Sequence, residues 1–202
     1  MFRLLETIKF SGKKFSNLEY HQNRLNKARK ELFGLADEIN LAAELKIPIG
    51  ISDSTFKVRV IYSDKIHDVE FHPYTIRNIN SLQIVHADDI DYSYKYEDRS
   101  KLQKLLCKCI ADDVIIIKNG FVTDTSYSNI VLSKGSKFFT PTSFLLNGTK
   151  RQKLLAEGVI NEVEVSLNDL GKYEKIYLIN SMMDLDDQTG IPVERIKGLE
   201  VK

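Results

Sequence analysis

Residues 119–132 have the sequence NGFVTDTSYSNIVL and follow a strongly apolar run, DVIIIK, at 113–118. Asn-Gly is a strong signal for a two-residue hairpin turn, because both residues tolerate positive φ angles. A second turn sequence, KGS, stands at 134–136. The segment 113–142 is therefore predicted to be a β-meander. Asp124 falls inside it, where a carboxylate is disfavoured in a strand, so it either pairs across strands or is a buried acid that faces a cationic group.

The sequence before this segment predicts a small α/β unit. Its patterns indicate a strand at 3–10, helices at 16–34 and 36–46, and strands at 56–63, 66–74 and 81–87. The first helix would begin with a capping box formed by Ser16 and Glu19 and end at Gly34. We assign residues 1–90 to this small N-terminal domain.

The remaining residues, 91–202, are assigned to a C-terminal domain that contains the meander. A helix is predicted at 98–113, and NGTKRQKLLAEG at 147–158 suggests a loop that leads into a helix. A strand, a short helix and a last strand complete this domain. The chain as a whole is expected to have an α+β fold.

Composition excludes several classes of protein. The 202 residues are 43% hydrophobic and 28% charged, which suits a globular chain with a proper core. A net charge of +1 creates no field that would favour nucleic acid or an anionic membrane. No apolar run approaches the roughly 20 residues of a membrane span, and the charged N-terminus does not resemble a signal peptide. The only cysteines, Cys107 and Cys109, argue against a disulfide framework or a metal site. We expect a cytoplasmic protein without metal, nucleic-acid or membrane partners.

Lys95 lies within DYSYKYEDRS at 91–100, between two tyrosines and close to the domain boundary. Most lysines are solvated, and alternation in a strand would place this one on a solvated face. A lysine becomes a Schiff-base nucleophile only where burial or neighbouring cations lower its pKa. Both interpretations remain open on this stretch alone.

Two further motifs could contact an anion. His21 and Arg24 are three residues apart on a predicted helix and share a face, and an arginine offers a fork for phosphate. NGTKR at 147–151 places a glycine and small residues at a helix start, where N–H groups can bind phosphate. Each motif has an ordinary structural alternative, a surface pair in the first case and a helix cap in the second.

Taken in order along the chain, the motifs resemble those of the fold-type IV pyridoxal-phosphate enzymes. That family includes branched-chain and D-amino-acid aminotransferases and aminodeoxychorismate lyases. The matching segments are LLETIKF (4–10), HQNRL (21–25), YKYEDR (94–99), NGFVTDTSYSNIVL (119–132), LLNGTKRQKLL (145–155) and IYLINSMM (176–183). The resemblance implies two small α/β domains of the D-amino-acid aminotransferase-like architecture, lacking the first N-terminal strands of its relatives.

The resemblance also implies residue roles and a cofactor, pyridoxal 5'-phosphate. Lys95 would carry the cofactor as a Schiff base and shuttle protons. Arg24, Ser181 and the backbone N–H groups of Thr149 and Lys150, next to Gly148, would hold its phosphate. Asp124 would face the pyridine nitrogen, and Ser126 and Asn129 would line or brace that segment. Thr7, Arg59, Tyr74 and Arg77 are candidate substrate contacts, although each could equally be a residue of a sheet surface.

Two substitutions and one missing element depart from the family pattern. Asp124 stands where relatives have glutamate, which keeps the charge but shortens the side chain by one methylene. Lys150 stands where the family has threonine, so a hydroxyl contact is lost. The missing first strands would leave a minimal, open substrate pocket.

A short chain with few substrate contacts suits a lyase that acts on one substrate. We therefore predict a homodimeric lyase that converts 4-amino-4-deoxychorismate to 4-aminobenzoate and pyruvate in folate precursor synthesis. One alternative is a class IV aminotransferase that acts on a D- or branched-chain amino acid. A non-catalytic binding module on the same fold is a further alternative.

Overall fold

The computed structural model describes residues 2–107 and 109–199. The chain divides into two compact units. The first comprises the described residues up to Ile76 together with Tyr94–Asp98, and the second comprises Arg77–Ser93 and the residues from Arg99 onward. This division differs from the expected ranges 1–90 and 91–202. Residues 77–90 belong with the second unit because they contain one of its strands, and Tyr94–Asp98 return to the first.

The first unit is an antiparallel sheet covered by one long helix. Its elements are β1 (Leu4–Ser11), β2 (Lys14–Phe15), α1 (Leu18–Phe33), α2 (Leu41–Glu44), β3 (Phe56–Tyr62) and β4 (Ile66–Pro73), with sheet order β2-β1-β3-β4. Alternate residues of β1, namely Leu4, Ile8 and Phe10, are fully buried in one core with Leu25 of α1. This alternation is the period of two that a strand with one buried face requires.

The start of α1 and the extent of α2 differ from the sequence predictions. Asn17 is the N-cap, in a left-handed conformation with a φ of 53°, and no side chain caps the helix. The predicted capping box of Ser16 and Glu19 is therefore wrong, because the Ser16 N–H donates instead to the Lys9 carbonyl at 2.9 Å and closes the β1–β2 hairpin. The helix predicted at 36–46 is reduced to the single turn of α2.

Residues 94–98 belong to the first unit because they pair with β1. The Leu5 N–H donates to the Lys95 carbonyl at 2.9 Å, and the Glu97 N–H donates to the Arg3 carbonyl at 3.0 Å. An antiparallel bridge between Leu4 and Tyr96 lies between these two bonds. The backbone of Lys95 is thus fixed directly beside β1.

The second unit contains two sheets. Its elements are β5 (Leu82–His86), α3 (Ser100–Leu106), β6 (Asp113–Lys118), β7 (Phe121–Val122), β8 (Asn129–Lys134), β9 (Lys137–Pro141), α4 (Thr149–Ala156), β10 (Asn161–Val163), β11 (Lys175–Ile179), β12 (Ile191–Pro192) and β13 (Ile196–Lys197), with 3-10 turns at Leu167–Lys172 and Val193–Arg195. One sheet has the order β13-β5-β6-β7 and the other β10-β9-β8-β11-β12.

The predicted turn at Asn119-Gly120 is confirmed, whereas the single meander is wrong. Asn119 and Gly120 have φ angles of 52° and 82°, and they connect the paired residues Lys118 and Phe121. After β7, however, the chain leaves the first sheet and enters the second at β8. Asp124 consequently lies in the connection between two sheets and not in the middle of a strand.

The helices of the second unit are only partly as predicted. Helix α4 confirms the prediction that a helix follows residue 148. Helix α3 is shorter than the predicted 98–113, and residue 108 of that range lies outside the described residues. No helix within residues 2–107 and 109–199 is long and apolar enough to cross a membrane. The mainly antiparallel sheets with few helices form the predicted α+β fold.

Candidate active site

The first unit contains a buried charge cluster made by β1 and α1. Arg24 donates from Nε to Glu6 Oε1 at 2.8 Å and from Nη2 to Glu6 Oε2 at 2.6 Å. His21 Nδ1 lies 2.6 Å from the same Glu6 Oε2. Glu6 and His21 are fully buried, and the Arg24 side chain is 14% exposed. The helix therefore presents Arg24 in an orientation that the strand residue beneath it sets.

Electrostatics within this cluster favour one charge state. Burial alone would raise the pKa of Glu6, but Arg24 and His21 outweigh it and hold that pKa at about 2. Burial lowers the pKa of His21 despite its contact with Glu6. Glu6 is therefore ionised and His21 neutral near pH 7, so that Arg24 supplies the positive charge of the group.

Lys95 lies close to this cluster. Its side chain is half-buried, and its positive charge is among the causes that lower the pKa of His21. Tyr94 and Tyr96, on either side of it, pack against the core of the first unit. Tyr92, three residues before Lys95, is buried in the second unit. Within the first unit, the structure thus places Lys95 near the His21–Arg24 pair.

In the second unit, Asp124 is a buried carboxylate enclosed by uncharged donors. Its Oδ1 accepts from Asn129 Nδ2 at 2.8 Å, and its Oδ2 accepts from the N–H groups of Leu145 at 3.1 Å and Leu146 at 2.9 Å. Burial raises the pKa of Asp124 to about 6, although these hydrogen bonds and the charge of Arg151 oppose the shift. A buried carboxylate with no charged hydrogen-bond donor among these contacts is suited to a cationic group.

Asn129 connects Asp124 to the start of α4. Its Nδ2 also donates to the Leu146 carbonyl at 2.8 Å. Its Oδ1 lies so close to Gly148 that a Cβ at that position would stand 2.0 Å from it. Only glycine fits at residue 148, because a methyl group cannot approach an oxygen atom that closely. Asp124, Asn129 and Gly148 therefore form one packed group.

Helix α4 begins at this group. Gly148 is its N-cap and provides no side-chain cap, and the first helical bond runs from the Gln152 N–H to the Gly148 carbonyl at 3.0 Å. The first N–H groups of a helix have no carbonyl partners inside it and can bind an anion. Thr149 and Lys150, the first two residues, are buried. Lys150 Nζ donates to Asp184 Oδ1.

The two serines in the predicted site, Ser126 and Ser181, both lie in the second unit. Ser126 is buried, and its carbonyl accepts from Arg99 Nη2 at 2.6 Å. Ser181 follows β11, where the preceding Asn180 donates from Nδ2 to Ser128 Oγ at 2.9 Å. The register of β11 on β8 pairs Ile179 with Asn129. Ser181 is therefore only two residues beyond the strand position opposite Asn129.

Three of the four candidate substrate residues lie in the first unit. Thr7 and Arg59 are paired neighbours in the first sheet, and Arg59 Nη1 donates to Glu70 Oε2 at 2.8 Å. Tyr74 follows β4, and burial raises its pKa. Arg77 belongs to the second unit and donates to the Asp112 carbonyl at 2.6 Å. Both arginines thus have a hydrogen-bond partner in their own unit, and the assignment of the four residues as substrate contacts stays a prediction.

Sequence reasoning missed Glu6 and the Lys150–Asp184 ion pair. A signal for Glu6 was present, because β1 has apolar residues at positions 4, 8 and 10 and a carboxylate at position 6 on the same face. A charged residue on the buried face of a strand requires a partner. Asp184 carried no comparable signal, since it lies in a turn rich in acidic residues.

Among the described residues, no group of three or more His, Cys, Asp or Glu could hold a metal ion.

Comparisons with known proteins show which proteins the chain is similar to. The family described as amino-transferase class IV matches residues 96–187. An uncharacterised protein from Haemophilus influenzae is 34% identical over 188 residues, which cover 92% of this chain and 100% of that protein. A crystal structure of a candidate 4-amino-4-deoxychorismate lyase from Haemophilus somnus is 32% identical, with a TM-score of 0.86 over 92% of this chain and 98% of that one.

A more distant structure has a similar fold and carries a cofactor. A hypothetical aminotransferase from Mycobacterium tuberculosis, in a form with bound pyridoxal phosphate, has a TM-score of 0.74 and 18% identity. The match covers 100% of this chain and 83% of that one. At this identity the likeness concerns the fold alone.

Proposed function

Because the chain belongs to the class IV aminotransferase family, we propose that it is a pyridoxal-phosphate-dependent lyase that converts 4-amino-4-deoxychorismate to 4-aminobenzoate and pyruvate. This reaction would supply a precursor of folate. The proposal is supported by the residues of the two units and by the relative from Haemophilus somnus.

The residues fit pyridoxal 5'-phosphate chemically. A protonated pyridine nitrogen would supply the cationic partner that the buried Asp124 carboxylate lacks among its hydrogen-bond donors. The guanidinium of Arg24 and the N–H groups at the start of α4 are suited to a phosphate. Lys95 would bind the cofactor covalently through Nζ. Ser126 and Asn129 would support the Asp124 side, and Ser181 the phosphate side.

The bound cofactor would supply an electron sink for the reaction. The protein's own task is then positioning and one acid–base group. Once the substrate's amino group has displaced it from the cofactor, the freed Lys95 Nζ would accept the proton from the ring carbon that carries this amino group. Asp124, held as a carboxylate by the cationic ring nitrogen, would keep that nitrogen protonated. The bond between the ring and the oxygen of the enolpyruvyl group would then break, and the released enolpyruvate would take up a proton to become pyruvate. The ring becomes aromatic in this step, which favours the forward direction.

The relative from Haemophilus somnus is the observation that carries the choice of a lyase over an aminotransferase. It is 32% identical, and the match covers 98% of that chain. A lyase needs to hold one substrate, whereas an aminotransferase holds two in turn, and a short chain with few substrate contacts suits the simpler task. Retention of Lys95, Arg24 and Asp124 argues against a non-catalytic module, which has no need for a lysine that binds a cofactor.

The proposal includes a homodimer in a reducing, cytoplasmic compartment. The family resemblance implies the dimer, and the two cysteines, both free, are consistent with a reducing environment. Sedimentation or light scattering of the purified protein at micromolar concentration tests the dimer. A mass of one chain under all conditions would contradict it.

An assay with enzymatically generated 4-amino-4-deoxychorismate tests the function. The appearance of 4-aminobenzoate is followed with no amino acid or keto acid added, and Lys95→Ala is the control. We expect product from the native chain and none from the variant. Protein that binds the cofactor and makes no product, but exchanges amino groups between an amino acid and a keto acid, would be an aminotransferase.

A further inference from the structure

Lys150 occupies an unfavourable place for a lysine. It is the second residue of α4, where the helix dipole disfavours a cation, and its side chain is only 6% exposed. Burial of an ammonium group is costly unless the group is paired. Lys150 Nζ is paired with Asp184 Oδ1. Asp184 therefore compensates an ammonium group that burial and the helix dipole both disfavour.

Asp184 lies in a turn that is firmly attached to β11. The Gln188 side chain donates to the carbonyls of Leu178 at 2.7 Å and Asp184 at 2.8 Å, and it accepts from the Leu178 N–H at 3.1 Å. At the start of the turn, the Met182 N–H donates to Asn180 Oδ1 at 2.8 Å. These bonds fold residues 180–188 back on the strand. Ser181 lies inside this segment.

We propose that Lys150 is a positioning residue that ties the segment 180–184 to the first turn of α4. The ion pair would hold Ser181 at a fixed distance from the N–H groups of Thr149 and Lys150. The Ser181 hydroxyl and these two N–H groups could then donate hydrogen bonds to the same phosphate. The proposal rests on the proposed function, which assigns these groups to the cofactor phosphate. Relatives have threonine at this position, so the chain lacks that hydroxyl contact and has the ion pair of Lys150 with Asp184 in its place.

Two features of the pair make it suitable for a test. Asp184 is 41% exposed, so that Lys150→Met leaves a carboxylate that water can solvate. Asp184→Asn has the opposite effect and leaves a buried ammonium without its partner. Lys153, on the same helix, provides the matched control, because its ammonium lies 3.6 Å from Glu157 in a pair that is exposed to solvent.

The experiment measures how tightly the cofactor-free protein binds pyridoxal 5'-phosphate and, separately, pyridoxal, which lacks the phosphate. Absorbance titrations are made on the native chain, Lys150→Met, Asp184→Asn, the double variant and Lys153→Met. We expect Lys150→Met to weaken binding of pyridoxal phosphate about tenfold, as for other outer positioning residues, and to leave pyridoxal binding unchanged. The double variant should bind pyridoxal phosphate no less tightly than the single variant that binds it less tightly. Lys153→Met should bind it as tightly as the native chain does.

Hydrogen exchange of the cofactor-free protein provides a second readout. The amides of residues 181–184 should exchange faster in Lys150→Met than in the native chain, while those of β8 keep their protection. If Lys150→Met lost the same amount of affinity for pyridoxal phosphate and for pyridoxal, the proposed role of Lys150 would be wrong. The same holds if the folded variant lost no affinity for pyridoxal phosphate. If the native chain itself takes up no pyridoxal phosphate, the proposed function fails and this inference fails with it. Normal uptake by the native chain and by Lys150→Met would overturn the inference alone.

Discussion

Glu6 on β1 and Arg24 on α1 are joined by a two-point contact, with distances of 2.8 Å from Nε to Oε1 and 2.6 Å from Nη2 to Oε2. This contact fixes the direction of a guanidinium that a helix alone would leave mobile. Arg24 is the proposed phosphate ligand, so Glu6 determines where that ligand points. His21, 2.6 Å from the same carboxylate, completes the support.

Replacement of Glu6 by glutamine should destabilise the first unit strongly. The change removes one partner of a buried pair, which costs about 3–5 kcal/mol because the other charge is left uncompensated. Urea denaturation of Glu6→Gln measures this loss of unfolding free energy. The matched control is Glu70→Gln, whose partner Arg59 is partly exposed, and which should cost about 1 kcal/mol or less. Equal stabilities of the two variants would contradict a structural role for the Glu6–Arg24 pair.

Acid should remove the same stabilisation. The pKa of Glu6 is lowered from 4.5 to about 2, so its contribution is full above pH 4.5 and is lost as the pH falls toward 2. The difference in unfolding free energy between the native chain and Glu6→Gln should therefore shrink across this range. A difference that stays constant between pH 5 and the acid limit of the folded state would contradict the lowered pKa.

Asp124 should have the opposite effect on stability, because its pKa is raised where that of Glu6 is lowered. Burial raises its pKa from 3.8 to about 6, so its contribution to stability is full below pH 3.8 and is lost as the pH rises through 6. This loss amounts to about 3 kcal/mol. Carbon NMR of labelled aspartate carboxyls in the cofactor-free protein should show a signal with a midpoint near pH 6 that is absent in Asp124→Asn.

Binding of the cofactor should lower that midpoint, because a cationic ring nitrogen favours the carboxylate. The same NMR titration in the presence of pyridoxal phosphate measures the change. A midpoint near pH 4 in the free protein would contradict the burial effect. A midpoint that does not move on cofactor binding would contradict the proposed contact between Asp124 and the ring.

Gly148→Ala should disrupt the group that connects Asp124 to α4. The new methyl carbon would stand 2.0 Å from Asn129 Oδ1, and overpacking of this kind costs about 1–3 kcal/mol. Asn129→Ala removes the obstructing oxygen, so the double variant should lose less unfolding free energy than the sum of the two single variants. Chemical denaturation of all three variants measures this coupling. Strictly additive losses would show that residue 148 does not meet Asn129.

Local features were the most predictable from the sequence. Asn119-Gly120 forms the predicted turn because its conformation depends on the two residues themselves. The capping box at Ser16 failed for a non-local reason, since the Ser16 N–H is used in the β1–β2 hairpin. The change of sheet between β7 and β8 also escaped prediction, because the same alternating pattern suits a strand in either sheet.

The sequence could suggest those residues of the candidate site that belong to a recognisable motif. Lys95, Arg24, Asp124 and Gly148 were assigned to the site from the order of their motifs along the chain, and these assignments stay predictions. What the sequence could not show is how they are held. Glu6 and Arg24 are 18 residues apart, and Lys150 and Asp184 are 34 apart, so these pairs depend on how strands and helices pack and not on any local pattern.

The most direct test of the central claim is to trap the cofactor on the chain. The protein is incubated with pyridoxal 5'-phosphate, reduced with borohydride, digested and mapped by mass spectrometry, with Lys95→Ala treated in parallel. Reduction makes the lysine–cofactor bond permanent. We predict that the pyridoxyl phosphate group is found on the peptide that contains Lys95 and is absent from the variant. Labelling of another lysine with Lys95 unmodified, or no labelling at all, would contradict the assignment of Lys95 as the residue that binds the cofactor.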